Sequence, residues 1–261
     1  MTSATKAYKI EKQFHFSIKP KSLKSFQFHL KSSGRMKKTI FALMIAAMLL
    51  APAVSAGDKP LREKTFIHYE NGRTEVVTSK ATTCVIGFLA ESQPKLSSTA
   101  TYTINPDNKQ GLSPTFITSA IQASAETWDA STSKELFNDN PVVSMKAKWG
   151  VFDRVNAITF GQLQKSVIAV TRVWYYPYQI VEFDMKFNTA YLWADCTTPS
   201  CTNKMDLKNI ATHEFGHTTG LDDSYDSVCS QATMYGYSWY GDIGKRTLEQ
   251  PDITGLQKIY G

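Results

Sequence analysis

The chain has 261 residues, 42% of them hydrophobic, with 29 Lys and Arg against 23 Asp and Glu, for a formal net charge of +6. This length fits one large domain or two small ones. The positive charge is concentrated at the start, because residues 1–56 contribute +9 and residues 57–261 therefore carry −3. Once the first segment is set apart, the charge gives no support for nucleic-acid binding as a function.

The first 56 residues have the composition of a tail followed by an export signal. Residues 1–35 are rich in Lys, Ser and Phe without an apolar period, which is typical of a solvated, disordered extension, and Met36 is an alternative start. Residues 36–56 run from a basic start through a short apolar stretch to small residues, the layout of a secretory signal peptide. We predict cleavage after Ala56 and secretion. An uncleaved anchor at the cell surface is the alternative, although the apolar stretch is short for a membrane span.

Residues 57–96 are predicted to be an N-terminal extension or pro-segment. Alternating residues at 65–69 and 74–77 indicate two short strands, and the Asn71-Gly72 pair between them is a turn signal. The sequence leaves open whether this segment is removed or packs on the next one. Residues 97–261 indicate one compact domain, which is long enough to bury a good core.

The first half of this domain predicts one helix and several strands. Ser113 and Pro114 begin the helix, whose apolar face ends at Trp128. Strands are predicted at 100–104, 142–147, 157–160, 166–174 and 181–187. The last of these alternates apolar and polar residues, so we expect a half-buried strand at a sheet edge, where an extended substrate could pair with it. Asp184 and Asn188 are candidate calcium ligands, with a plain polar strand face as the alternative.

Four cysteines follow the export segment, and an even number in an exported chain favours disulfides. Cys196 and Cys201 flank a turn-like Thr-Thr-Pro-Ser loop and are predicted to pair. Cys84 and Cys229 would then form the second disulfide. In the alternative interpretation Cys84 is a free thiolate that blocks a metal site.

The second half contains His213-Glu214-Phe215-Gly216-His217, on a helix that Asp206 is predicted to cap. Histidines four residues apart lie on one helix face, so both imidazoles can reach a single metal ion. A tetrahedral catalytic zinc needs a third protein ligand. Gly220 can turn the chain back sharply after the helix, which makes Asp223 the candidate, with Asp222 as the fallback.

The spacing H-E-x-x-H-x-x-G-x-x-D resembles that of the metzincin zinc proteases. Residues 232–235, Ala-Thr-Met-Tyr, are similar to the Met turn of that group and contain Met234, and residues 252–261 are similar to the C-terminal helix of its matrixin branch. With Asp at the third ligand position, the motif is similar to that of secreted prokaryotic matrixin-like proteases. The resemblance covers residues 97–261. It implies an α+β fold with a mixed twisted sheet, an active-site helix, the Met turn and a C-terminal helix.

The resemblance also implies a chemistry. His213, His217 and Asp223 would hold one catalytic zinc, and Glu214 would act as the general base for a zinc-activated water that attacks a peptide bond. Tyr235 or Tyr237 would bind the oxyanion or line the substrate wall. The expected partners are protein or peptide substrates of a monomeric enzyme. The Arg and Gly flanks of a blocking pro-segment cysteine are missing around Cys84, which favours the disulfide.

Two further expectations concern metal sites. The remaining histidines are His15, His29 and His68, and all precede residue 97, so no structural zinc of the animal matrixin type is expected. The rival function is that of an exported binding or adhesion protein with a non-catalytic metal site. An intact Glu214 argues against it, because a structural zinc site needs four ligands and no base.

Overall fold

The computed structural model of the protein describes residues 59–70, 82–197 and 201–261. The predicted tail and signal peptide and the strand expected at 74–77 lie outside these residues. All described residues belong to one compact unit that begins after residue 56. Within the described ranges, none of the helices has both the length and the apolar composition that a bilayer crossing requires.

A mixed sheet forms the main layer of this unit, and a two-stranded ladder lies beside it. The strands are β1 (Arg62–Glu70), β2 (Lys95–Leu96), β3 (Thr103–Ile104), β4 (Val142–Val143), β5 (Ala157–Gly161), β6 (Val167–Tyr176), β7 (Gln179–Asn188), β8 (Trp193–Ala194), β9 (Met205–Asp206) and β10 (Tyr237–Ser238). The order in the large sheet is β10-β1-β6-β7-β5-β3-β4, with β2 also paired to β7. Strand β6 is antiparallel to both of its neighbours, whereas the other pairs are parallel.

Three α-helices in the described residues complete the fold: α1 (Pro114–Asp129), α2 (Leu207–Thr218) and α3 (Gln250–Tyr260). Each begins at a residue that satisfies free backbone amides. The Ser113 hydroxyl accepts from Phe116 N at 3.1 Å, and the Asp206 carboxylate accepts from Asn209 N at 2.8 Å. Glu249 and Asp252 form a capping box at α3. The predicted α+β architecture is thereby confirmed.

Helix α2 is buried because it packs against α1 and the sheet. Trp128 of α1 is fully buried, and its indole N–H donates to the Thr212 carbonyl of α2 at 2.7 Å. On the sheet side, Phe215 stands edge-on to Phe183 of β7 with ring centroids 6.4 Å apart. This packing fixes the rotation of α2 about its own axis and its position on the sheet. It thereby fixes the positions of the histidines that α2 carries.

The prediction for the strand at 181–187 is wrong in two respects. Strand β7 lies between β5 and β6 inside the sheet, so it is not an edge. Its polar side chains Glu182 and Asp184 are buried instead of solvated. The Asp184 carboxylate accepts the backbone amides of Gly150 at 2.6 Å and Ala157 at 2.9 Å. Alternating polarity alone does not distinguish a face that meets water from one that meets loop amides.

Both disulfides join the expected cysteines. Cys196 is bonded to Cys201, and Cys84 is bonded to Cys229 across 145 residues of sequence. Cys84 is therefore not a free thiolate. The longer bridge attaches the segment after β1 to the loop that follows α2.

Candidate active site

Three donor atoms converge beyond the end of α2. His213 Nε2 and His217 Nε2 lie 3.2 Å apart, and Asp223 Oδ1 lies 3.2 Å from the first and 3.5 Å from the second. Tetrahedral zinc with bonds of about 2.0–2.2 Å places its ligand atoms about 3.3–3.6 Å from one another. The triangle of donors therefore has the dimensions of three corners of a zinc tetrahedron.

The polypeptide orients both imidazoles for this purpose. His213 Nδ1 donates to the Thr233 carbonyl at 2.7 Å, and His217 Nδ1 donates to the Leu221 carbonyl at 3.1 Å. Because a carbonyl can only accept, each ring carries its proton on Nδ1 and leaves the Nε2 lone pair for a metal. Burial lowers the pKa of His217 to about 3 and holds the pKa of His213 well below its usual value, so both rings are neutral.

Asp223 fits a metal ligand by a separate criterion. Its Oδ2 accepts from the Tyr225 hydroxyl at 3.3 Å, whereas Oδ1 is buried and has no hydrogen-bond partner in the described structure. A buried carboxylate oxygen without a donor is costly unless a cation satisfies it. The neighbouring fallback residue points elsewhere, because Asp222 Oδ2 accepts from Lys64 Nζ at 2.7 Å. The residues present therefore fit one zinc ion held by His213, His217 and Asp223.

The turn that brings Asp223 back to the helix depends on Gly220. This residue has φ +103°, where a side chain would be strained, and a Cβ there would lie 2.5 Å from the Pro94 carbonyl oxygen. The amide of Leu221 then donates to the Gly216 carbonyl at 3.2 Å, which closes the end of the helix. The expected reversal at Gly220 is present.

Glu214 lies beside the donor triangle but does not belong to it. Its Oε2 accepts from the Thr171 hydroxyl on β6 at 2.5 Å, while Oε1 is buried with no hydrogen-bond partner among the described residues. The pKa of Glu214 is raised to about 8, mainly by burial. The nearby Asp223 carboxylate adds to the rise, and the Thr171 hydrogen bond opposes it. Thr171 fixes one oxygen and leaves the other to exchange a proton.

The floor of the site is the Met turn, residues 232–235. Met234 is fully buried under α2, so close that a Cβ on Gly216 would lie 2.2 Å from its sulfur. The buried Asp252 carboxylate of α3 accepts the amides of Thr233 at 2.8 Å and Met234 at 3.0 Å. The Met turn therefore contacts the helix that carries the histidines and is held from below by α3.

A buried lysine, not expected from the sequence, braces the same turn. The Lys245 ammonium donates to the carbonyls of Thr233, at 3.0 Å, and Tyr235. Burial lowers the pKa of Lys245 to about 8. Tyr235 is therefore held through its backbone, and its ring contacts that of Tyr237 on β10 with centroids 5.6 Å apart. Both predicted tyrosines thus lie where the Met turn meets β10.

The candidate calcium ligands have other partners. Both Asp184 oxygens accept loop amides, and Asn188 Oδ1 accepts from the amides of Leu163 at 3.1 Å and Ala190 at 3.0 Å. These two side chains therefore brace loops around β5 and β7.

Two residues of β1 reach the site, although the sequence placed them outside the domain. The Phe66 ring stacks on His217 with centroids 3.8 Å apart and planes 7° apart. His68 is fully buried, and its Nδ1 lies 3.4 Å from Glu214 Oε1. The available signal was the alternation at 65–69, which places both side chains on one face of a strand but does not say what that face contacts.

The fold and this donor set define a zinc metalloendopeptidase domain. Residues 94–261 match the family described as Matrixin, and the chain belongs to that family. It is 31% identical over 123 residues to a hatching enzyme of Paracentrotus lividus, which covers 47% of this chain and 18% of that protein. It is 41% identical over 73 residues to an interstitial collagenase of Equus caballus, covering 28% of this chain and 14% of the relative. A third match is metalloendoproteinase 1 of Glycine max, 40% identical over 67 residues, or 26% of this chain and 21% of the relative. The matches thus span less than a quarter of each relative's length.

Proposed function

We propose that this protein is a secreted, zinc-dependent endopeptidase in which Glu214 is the general base. The observation that carries the proposal is the unsatisfied Glu214 Oε1 beside a donor triangle of zinc dimensions. Three protein ligands leave one coordination position open, which is the arrangement of a catalytic zinc site. When bound, zinc supplies Lewis acidity for a peptide carbonyl and for water.

The chain's own residues account for positioning and proton transfer. Glu214 accepts a proton from the attacking water and returns one to the leaving amine, while Thr171 holds its second oxygen. Strands β6 and β10 are both paired with β1 in the described structure, so an extended peptide could pair with them only in place of that strand. Tyr235 and Tyr237 lie on the β10 side, so we assign them to the substrate wall.

Secretion is supported by the export signal at 36–56 and by the disulfides, which persist in oxidising compartments. The proposed substrates are proteins or peptides. The matched relatives are named as a hatching enzyme and an interstitial collagenase, and no particular substrate is carried over from them.

The test is Glu214→Gln, which preserves shape and removes the base. We expect stoichiometric zinc, an unchanged Tm, and a loss of casein or peptide hydrolysis of at least about 100-fold, the lower end of the range for general-base catalysis. Zinc is measured by atomic absorption on the same sample. Hydrolysis that persists in Glu214→Gln, or in wild type stripped by chelator, would contradict the mechanism. The rival binding or adhesion function would instead leave zinc bound and no hydrolysis in any form.

A further inference from the structure

Lys245 places a positive charge under the candidate active site. The residue lies in a short 3-10 helical turn, Gly244–Arg246, and is only 4% exposed. Its backbone amide donates to the side-chain oxygen of Asn209 at 2.6 Å, which ties this turn to the helix that carries both histidines. Burying an ammonium is costly. Bracing the Met turn would need only a neutral donor, so the charge itself points to a further role.

The ammonium is held by carbonyls. Nζ donates to the carbonyl of Thr233 at 3.0 Å and to that of Tyr235, and it lies 3.5 Å from that of Ala232. Among the described residues, no Asp or Glu oxygen lies within ion-pairing distance of Nζ. Burial lowers the pKa of Lys245 to about 8, so the group is still charged at neutral pH. No direct partner cancels this charge, and the buried surroundings extend its reach.

His213 and Lys245 share one acceptor. The Thr233 carbonyl accepts from His213 Nδ1 at 2.7 Å and from Lys245 Nζ at 3.0 Å. An acceptor for Nδ1–H normally makes the other ring nitrogen a better metal ligand, because it leaves more electron density on Nε2. An ammonium on the same oxygen withdraws electron density from that oxygen. The carbonyl therefore supports His213 less than an unshared carbonyl would.

The third ligand gives this arrangement a purpose. The Asp223 carboxylate brings a negative charge to the donor triangle, and it neutralises part of the charge of a bound divalent ion. Burial is the largest influence on the pKa of both His213 and Asp223, and the Lys245 charge is a further influence that lowers both. The field of the ammonium therefore reaches the donors, where it opposes the charge of Asp223.

We propose that Lys245 is a positioning residue for the metal site, which weakens His213 as a ligand through the shared Thr233 carbonyl and offsets the charge of Asp223. This inference rests on the proposed function as a zinc peptidase. The site would then bind zinc less tightly and keep more Lewis acidity than its three ligands alone would give. Removing the charge should tighten zinc binding and slow the reaction together, whereas losing a purely structural brace would loosen zinc binding.

The first experiment removes the charge and keeps a donor. Lys245→Gln retains N–H groups for the carbonyls, and we expect it to bind zinc at least about threefold more tightly than wild type, by competition with a chromogenic chelator. Lys245→Arg keeps the charge and should stay within about twofold of wild type. Lys258→Gln, on the exposed side of α3, controls for net charge and should also stay within about twofold. Circular dichroism and the Tm verify folding.

The kinetics of the same variants give a second readout. At saturating zinc, Lys245→Gln should lower kcat for a fluorogenic peptide at least about threefold and leave KM within about twofold, because the change is in reactivity and not in substrate binding. Lys245→Arg should retain the kcat of wild type. Tighter zinc binding together with a lower kcat is a combination that general loosening of the site does not produce.

A third measurement covers the case in which Lys245→Gln does not fold. Raising the pH from about 7 to about 9.5 deprotonates an ammonium whose pKa burial lowers to about 8, whereas the guanidinium of Lys245→Arg stays charged. The zinc affinity of wild type relative to that of Lys245→Arg should therefore rise at least about threefold. The carboxylates that act on Lys245 are present in both chains, so their own titration cancels in this ratio: Asp242, Asp252, Asp223 and Glu214.

Weaker zinc binding by folded Lys245→Gln would overturn the inference, as would equal zinc affinities of Lys245→Gln and Lys245→Arg. For the third measurement, an affinity ratio that does not change with pH would overturn it. Zinc affinity is measured without hydrolysis, which separates this inference from the proposed function. If the affinities follow the expected order and no form cleaves peptide, the role of Lys245 at the metal site is upheld and the peptidase function is refuted.

Discussion

The floor and the cover of the cleft are built in different ways. The floor, made of α2, the Met turn and α3, is held by buried hydrogen bonds between charged side chains and the backbone: Asp252 accepts from amides and Lys245 donates to carbonyls. The cover, β1, is held by strand pairing, two stacked rings and a half-exposed ion pair. Buried charged hydrogen bonds cost much more to break than exposed ones. The floor is therefore held more strongly by its side chains than the cover is.

The largest effect should come from the metal ligand in the floor. Asp223→Asn keeps the shape of the side chain but removes the charge beside His213 and His217. Loss of a residue that only orients a ligand lowers metal affinity about 10–100-fold, so loss of the ligand itself should cost at least about 100-fold, with hydrolysis lost as well. Competition with a chromogenic chelator measures the affinity.

The matched control is Asp222→Asn, which changes the adjacent carboxylate that contacts Lys64. We expect zinc affinity to stay within about twofold of wild type, a change of less than about 0.5 kcal/mol. If Asp222→Asn released zinc and Asp223→Asn did not, the assignment of the third ligand would be reversed.

The next effect tests how the Met turn is held. Asp252→Ala leaves the buried amides of Thr233 and Met234 without an acceptor, and each such group costs about 1–3 kcal/mol. We expect the free energy of unfolding to fall by about 3 kcal/mol and the Tm by roughly 6–12 °C for a domain of this size. Lys258→Ala, on the exposed side of α3, should change the Tm by less than about 2 °C. Similar Tm values for the two variants would show that the Met turn does not depend on Asp252.

A smaller loss is expected where the helix meets the turn. In Gly216→Ala the new methyl group would lie 2.2 Å from Met234 Sδ and 2.6 Å from Trp128 Cζ2, so the side chains or α2 must shift. Overpacking of this kind costs about 1–3 kcal/mol, and a shift of α2 also moves the histidines. Chemical denaturation measures the cost. Gly244→Ala is the control, since its Cβ would make only an ordinary 3.4 Å contact with Asp242, and equal losses would contradict the close packing.

The smallest effect concerns the cover. Lys64→Ala removes the ion pair with Asp222, whose two side chains are 34% and 33% exposed. An exposed pair contributes at most about 1 kcal/mol, so the free energy of unfolding should fall by no more than that amount. Assays at low and high salt provide the check, because the difference between Lys64→Ala and wild type should shrink as salt screens the pair. A difference that is independent of salt would point to the stem of Lys64, which also lies over the Phe66 ring.

Local patterns predicted the floor well. The His213 and His217 spacing, the Asp206 cap and the turn at Gly220 all depend on neighbours within a few residues, so the sequence contains them directly. The partners of Asp252 and Lys245 are 10 to 19 residues distant, and nothing local marks them. His68 was set aside because it precedes residue 97, yet it lies beside Glu214 through strand pairing across more than 100 residues. Alternation predicts that a strand exists, but its neighbours depend on the whole sheet.

The Cys84–Cys229 disulfide has a consequence for the fate of cut chains. It closes a covalent ring that includes α1, β6, α2 and Asp223, whereas β1 precedes the ring. One backbone break anywhere inside the ring leaves the two fragments attached, so a nicked molecule keeps its full mass until it is reduced. One break between residues 70 and 84 severs β1 from the ring. The protein would thus tolerate a single nick inside the ring, and the same kind of cut placed ahead of Cys84 would detach only β1 and what precedes it.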